Sequence, residues 1–83
     1  MKLLYFSWVR ERIGVPEEET ETPAGVATVH DLVAWLRSRG PGYEHAFEAG
    51  KTVRAAIDKR HVKPDAPIAG AREIAFFPPM TGG

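Results

Sequence analysis

The residues best placed to do chemistry stand at the end of the sequence, where Phe76-Phe77-Pro78-Pro79-Met80-Thr81 leads into Gly82 and Gly83. Pro78 and Pro79 each fix φ at about −65° and carry no backbone donor, so the chain must leave any sheet there. Two adjacent prolines favour a stiff, polyproline-like arm. Residues 78–83 then reach at most about 20 Å when extended. Gly82 and Gly83 lack a Cβ, so the tip is thin enough to thread a narrow channel in another protein. It ends in a main-chain carboxylate, which is a poor electrophile until it is activated. Adenylation by a partner enzyme would supply a leaving group, and a sulfur donor could then make a thiocarboxylate. The sequence therefore divides into a domain, 1–77, and a tail, 78–83.

Side chains offer less. His30, His45 and His61 are scattered without the i, i+4 spacing of a helical metal site, and there is no cysteine to supply a thiolate ligand or nucleophile. Ser7 and Ser38 sit in no nucleophile elbow. The eight glycines are dispersed, so no phosphate loop is present. The expectation is a chain with no metal and no independent hydrolytic centre. Glu17, Glu18 and Glu19 read as a solvated acidic face that also guards a strand edge. Lys59, Arg60 and Lys63 read as a solvated hairpin turn.

Lys plus Arg number 11 and Asp plus Glu number 11. That balance argues against a general nucleic-acid binder or an anionic-membrane binder, whose affinity rests on surplus positive charge. The opening MKLLYFSWVRER lacks a small-residue cleavage site, and Arg10 interrupts its apolar run. No stretch approaches the roughly 20 apolar residues that span a bilayer. With no cysteine for disulfide staples, the expectation is a cytoplasmic protein.

The elements that must position the tail are set by periodicity. Leu3 to Val9 is dense in Tyr5, Phe6 and Trp8 and reads as a strand. Gly14 and Pro16 mark a turn, and Glu17 to Thr22 reads as an edge strand. Thr28 is an N-cap with Asp31 in a variant of the capping box. Val29, Leu32, Val33 and Leu36 keep the spacing of one buried helical face. A helix over Val29 to Arg39 should end at Gly40 and Pro41. Tyr43 to Glu48 suits a short helical turn. Val53 to Ile57 and His61 to Val62 read as strands around the turn Asp58, Lys59, Arg60. Glu73 to Phe77 reads as the last strand, with Ile74 and Phe76 on one face and Ala75 and Phe77 on the other.

This order predicts an α+β, ubiquitin-like β-grasp fold. Its mixed sheet has the first and last strands parallel at the centre, and one main helix covers one face. One helix cannot cover all the apolar surface, so Phe6, His61 and Phe77 are expected on the opposite face as a partner surface. Arg10 reads, from its position alone, as a solvated strand end.

Three motifs carry a family resemblance: LLYFSWVRERIG at the start, VRAAIDKRHV in the middle and EIAFFPPMTGG at the end. Together they resemble the small, sulfur-carrying subunit of molybdopterin synthase, the MoaD family, over nearly the whole chain. The resemblance implies that Gly83 becomes a thiocarboxylate and donates sulfur to precursor Z, with Gly82 beside it. It implies an E1-like adenylating enzyme, with Arg10 either helping to bind that enzyme or ordering the adjoining loop, and a large synthase subunit whose pocket receives Pro78, Pro79, Met80, Thr81 and the glycines. The assembly would be a heterotetramer of two small and two large subunits. No cofactor is held permanently; ATP is consumed by the partner enzyme. The chain departs from the family pattern at Trp8, at Asp58 and across Ala69-Gly70-Ala71-Arg72. Carriers for thiamine or tRNA thiolation, and protein modifiers or interaction modules of the same fold, are the alternative readings.

Overall fold

The computed structural model describes residues 1–48 and 52–79. Its elements run β1 (Lys2–Tyr5), α1 (Ser7–Ile13), β2 (Glu17–Glu19), α2 (Val29–Arg37), α3 (Pro41–Ala46), β3 (Arg54–Ile57), β4 (Arg60–Val62) and β5 (Glu73–Phe77). The five strands form one sheet in the order β2-β1-β5-β3-β4. β1 and β5 are parallel neighbours at its centre, and every other pairing is antiparallel. The architecture is the ubiquitin-like β-grasp, an α+β fold.

The first strand is shorter than its composition suggests. The run to Val9 reads as one strand, but β1 stops at Tyr5 and Phe6 becomes the N-cap of α1. Ser7 opens that helix at φ +56°, a sharp reversal for a residue other than glycine. The Phe6 carbonyl accepts the N–H groups of Val9 and Arg10 at 3.2 and 3.4 Å. The physical reason for the break is the spacing of the apolar residues from Trp8 to Ile13. Val9 is fully buried, Ile13 packs on the same core, and Trp8 stacks under Arg12 at 4.6 Å, so helical i, i+4 pairs replace strand alternation. Gly14, read as a turn residue, is the αL C-cap of α1, its N–H meeting the Arg10 carbonyl at 2.7 Å.

Helix α2 starts as the sequence requires. Thr28 Oγ1 accepts the Asp31 N–H at 3.2 Å, and the Asp31 carboxylate accepts the Thr28 N–H at 3.2 Å, a complete capping box. It buries Val29, Leu32 and Leu36 against the sheet. Its end differs from expectation. Ser38, not Gly40, is the C-cap, and Ser38 and Arg39 close the last turn with bonds three residues back, to Trp35 and Leu36. Gly40 is instead the N-cap of α3, with Pro41 in the first turn, where a missing N–H costs nothing. The helical turn anticipated at Tyr43 to Glu48 is thus a helix displaced toward the N-terminus. α3 lies against α1 so closely that a Cβ on Gly42 would sit 2.7 Å from the Arg12 carbonyl oxygen.

β5 matches expectation residue for residue. Ile74 and Phe76 face the core and Ala75 and Phe77 the other side. Phe76 stacks on Tyr5 at 6.2 Å and meets Phe47 edge-on at 5.2 Å, which makes it the centre of the core. The β3–β4 hairpin turns on two residues, Asp58 and Lys59, both at positive φ (48° and 73°), as a twist-matched two-residue turn requires. Arg60, placed in the turn by sequence, is the first residue of β4. The Asp58 carboxylate accepts the N–H groups of Arg72 and Glu73 at 3.0 Å each, tying the turn to the start of β5. At the opposite edge β2 spans only Glu17–Glu19, shorter than the expected run to Thr22.

Candidate functional site

The helices leave one face of the sheet uncovered, and register decides what lies on it. Leu4 is opposite both Glu17 and Ala75, Ala75 is opposite Ala56, and Ala56 is opposite His61. One step nearer the tail, Phe77 is opposite Arg54. Residues two apart along a strand share a face. Arg54, Ala56, His61, Ala75, Phe77 and Leu4 therefore share the face away from Phe76, Leu3 and Tyr5. Phe6 continues this alternation, because its backbone is extended and its N–H still reaches the Phe76 carbonyl at 3.1 Å.

The three residues expected on a partner surface are thus on one face. Phe6 is 47% exposed, Phe77 is half-buried and His61 is exposed. The His61 ring packs on the Phe77 ring with centroids 5.1 Å apart. Neither phenylalanine fills the core; Phe47 and Phe76 do that. The correction concerns Phe6, which lies one residue beyond the first strand and caps α1. Arg10 likewise belongs to α1, not to a strand end. It is exposed, and no acidic partner lies within ion-pair distance among the described residues.

β5 ends at Phe77, immediately before Pro78, so the tail begins at the rim of this face, from a central strand. Pro78 and Pro79 are half-buried. The assignments on Met80, Thr81, Gly82 and Gly83 lie outside the described residues. Among the described residues no helix is long and apolar enough to cross a membrane, and no group of three or more His, Asp or Glu is arranged to hold a metal.

Sequence reasoning missed a polar knot on the other side of the sheet. Glu18 pairs with Leu3 and so faces inward. Its Oε2 accepts both phenols, Tyr5 and Tyr43, at 2.7 Å, and its Oε1 accepts Arg39 Nη1 at 3.0 Å. Burial pushes the Glu18 carboxyl up, but these hydrogen bonds outweigh it and hold it below its ordinary value. Burial, reinforced by the Glu18 carboxylate, pushes the Tyr5 phenol far above its usual range. The knot fastens β2 to α3 and orders the sheet behind the open face. The signal available in the sequence was the period-2 spacing of Leu3 and Tyr5, which commits a facing β2 residue to the core.

The fold and the open face, with a Pro-Pro-led tail at its rim, define a ubiquitin-like protein. The ThiS family profile matches residues 3–83, and the chain belongs to that family. It is 37% identical to the molybdopterin synthase sulfur carrier subunit of Escherichia coli, the alignment covering 100% of this chain and 99% of that one. The protein of the same name from Haemophilus influenzae is 34% identical with the same coverage. Among solved structures, SAMP1 of Haloferax volcanii superposes with a TM-score of 0.75 at 24% identity, covering 100% of this chain and 98% of that one. That last likeness speaks for the fold alone.

Proposed function

We propose that this protein is a sulfur carrier subunit of molybdopterin synthase and works through the main-chain carboxylate of Gly83. The observation that carries the reading is the full-length match to relatives bearing that name, 37% identical in the E. coli case. The placement of Phe6, His61 and Phe77 beside the root of a tail ending in Gly82 and Gly83 supports it.

The chemistry divides between carrier and partners. An E1-like enzyme brings ATP, and the Gly83 carboxylate attacks its α-phosphorus, displacing pyrophosphate. The acyl-adenylate then has a good leaving group. A sulfide-level donor attacks the acyl carbon and expels AMP, leaving a C-terminal thiocarboxylate. In the synthase that sulfur bonds to precursor Z, and water then cleaves the acyl–sulfur bond, leaving the sulfur on the substrate and returning the tail as a carboxylate for another round. The carrier's part is positional: it presents a slender acyl group at the end of an arm rooted in a rigid sheet. It holds no cofactor of its own, and the ATP is consumed on the partner enzyme.

The large synthase subunit is the partner that covers the open face. Burying Phe6 and Phe77 supplies apolar contact, and the tail from Pro78 to Gly83 enters that subunit's pocket. Two carriers and two large subunits would make the working heterotetramer, in the cytoplasm. Arg10, exposed on α1 and without an acidic partner among the described residues, serves the adenylating enzyme. The test is reconstitution with the adenylating enzyme, ATP and a sulfide donor, read by intact mass. The expected product has one oxygen replaced by sulfur at the last residue. A protein that instead appears joined through Gly83 to lysine side chains would be a modifier, and the reading would fail.

A further inference from the structure

The acidic and basic side chains of the sheet are used differently. At the β2 edge each glutamate has a cation: Glu17 pairs with Lys2 at 3.6 Å, Glu18 with Arg39 at 3.0 Å, and Glu19 with the Met1 amino group at 3.7 Å. At the β3–β4 edge, Arg54, Lys59, Arg60 and Lys63 have no ion-pair partner among the described residues. The formal net charge is zero, yet the acids of the β2 edge are paired and, among the described residues, the cations of the opposite edge are not. A basic hairpin read from sequence as a solvated turn therefore has a second meaning once the register is known.

Two of these cations stand at the tail. Arg54 is the register partner of Phe77 and shares its face. Lys63 comes directly after β4, and with Arg54 it lines a groove of about 210 Å³ that Val53, Ala55 and Val62 also line. The His61 ring rests on Phe77. Arg54 belongs both to the open face, opposite Phe77, and to the groove, whose Ala55 and Val62 lie by register on the Phe76 side. The nearby acids in sequence are Asp58, which accepts the Arg72 and Glu73 N–H groups, and Asp65, and neither pairs with these cations.

We propose that Arg54 and Lys63 form a cationic rim that takes acidic side chains of the large synthase subunit and sets the orientation in which that subunit docks. This rests on the reading that the open face is the docking face. Desolvation supplies the physical reason. A partner that covers Phe77 must also cover the base of Arg54, one strand away, and strip water from its guanidinium. Left unpaired there, the charge would oppose docking; met by a carboxylate, it adds a charge-assisted hydrogen bond and a directional constraint. The opposite rim presents Glu17 already paired to Lys2, so the face is electrostatically polar from β4 to β2. A partner rotated half a turn would leave its acids without an available cation, because Lys2 and the Met1 amino group are already paired to Glu17 and Glu19. Nucleic acid is the weaker candidate, because the surplus is confined to one edge of a neutral chain.

The test compares binding of the purified large subunit to the wild-type carrier, to Arg54→Gln/Lys63→Gln, to Arg54→Glu/Lys63→Glu and to Phe77→Ala. Affinity and association rate are measured at low and high salt, and thermal midpoints are recorded for every variant. The neutralised pair should bind about tenfold more weakly at low salt and show a flatter salt dependence of the association rate, with the reversed pair weaker still. Binding equal to wild type with the same salt dependence in both pairs, while Phe77→Ala loses affinity, would overturn the rim and leave the docking face standing. If Phe77→Ala also binds like wild type, the docking face itself is wrong.

Discussion

Tyr5 and Tyr43 meet on a single atom: each phenol donates to Oε2 of Glu18, both at 2.7 Å. One comes from the central strand β1 and the other from α3, so the carboxylate of an edge strand joins three elements. Removing the Tyr5 hydroxyl as Tyr5→Phe keeps the ring stacked on Phe76 and should cost about 1 kcal/mol. Glu18→Gln leaves two phenols and Arg39 with a weaker acceptor and should cost about 1–3 kcal/mol. Denaturant titration of both variants checks the order.

The same knot sets the pH limits of stability. The folded Glu18 carboxyl lies below its ordinary value of 4.5, so its contribution is present above that pH and is lost as pH falls through the folded value. The Tyr5 phenol is raised, so its contribution is full below its ordinary value of 10.0 and is lost as pH rises beyond it. Unfolding free energy against pH should therefore fall at both ends. In Glu18→Gln the acid limb should flatten, and an unchanged acid limb would mean that Glu18 does not set it.

Gly42 is required by contact. A methyl group there would meet the Arg12 carbonyl oxygen at 2.7 Å, and the obstacle is backbone that cannot swing away. Gly42→Ala should destabilise by about 1–3 kcal/mol by parting α1 from α3, despite the higher helix propensity of alanine. A variant as stable as wild type would show that the two helices can separate freely.

Adjacent phenylalanines should behave oppositely. Phe76 is 1% exposed at the centre of the core, and Phe76→Ala should cost about 3–5 kcal/mol. Phe77 is half-buried on the open face, so Phe77→Ala should cost far less stability and show its effect in binding to the large subunit. Equal losses of stability would mean that Phe77 is a core residue after all.

Much of this was legible from residue order alone. The capping box of α2, the alternation of β5 and the parallel pairing of β1 with β5 come from short-range patterns and from the order of the strands around the main helix. What misled was the segment after Tyr5. Aromatic and β-branched residues favour strands, yet Val9 and Ile13 could reach the core only at helical spacing, and tertiary burial overrode local propensity. Gly40 misled in the same way, since a glycine before proline suits a helix end and a helix start equally. The open face was legible as an apolar surplus on Phe6 and Phe77, because alternation fixes faces. The cations at Arg54 and Lys63, unpaired among the described residues, were not. Which charges are already paired depends on register between strands distant in sequence.

The function is assigned to the last main-chain carboxylate, and a single experiment decides whether it resides there. Wild-type protein and a variant lacking Gly83 are incubated with the adenylating enzyme, ATP and a sulfide donor, then analysed by intact mass with fragmentation of the C-terminal peptide. Thermal midpoints are taken in parallel. Deleting Gly83 shortens the arm by about 3.5 Å, and misplacement of about 1 Å can already cost a hundredfold in rate. Wild type is expected to exchange one oxygen for sulfur at Gly83. The shortened chain should remain equally folded and acquire no sulfur. Sulfur gained in full by the chain without Gly83, or found on any residue other than the last, would contradict the assignment.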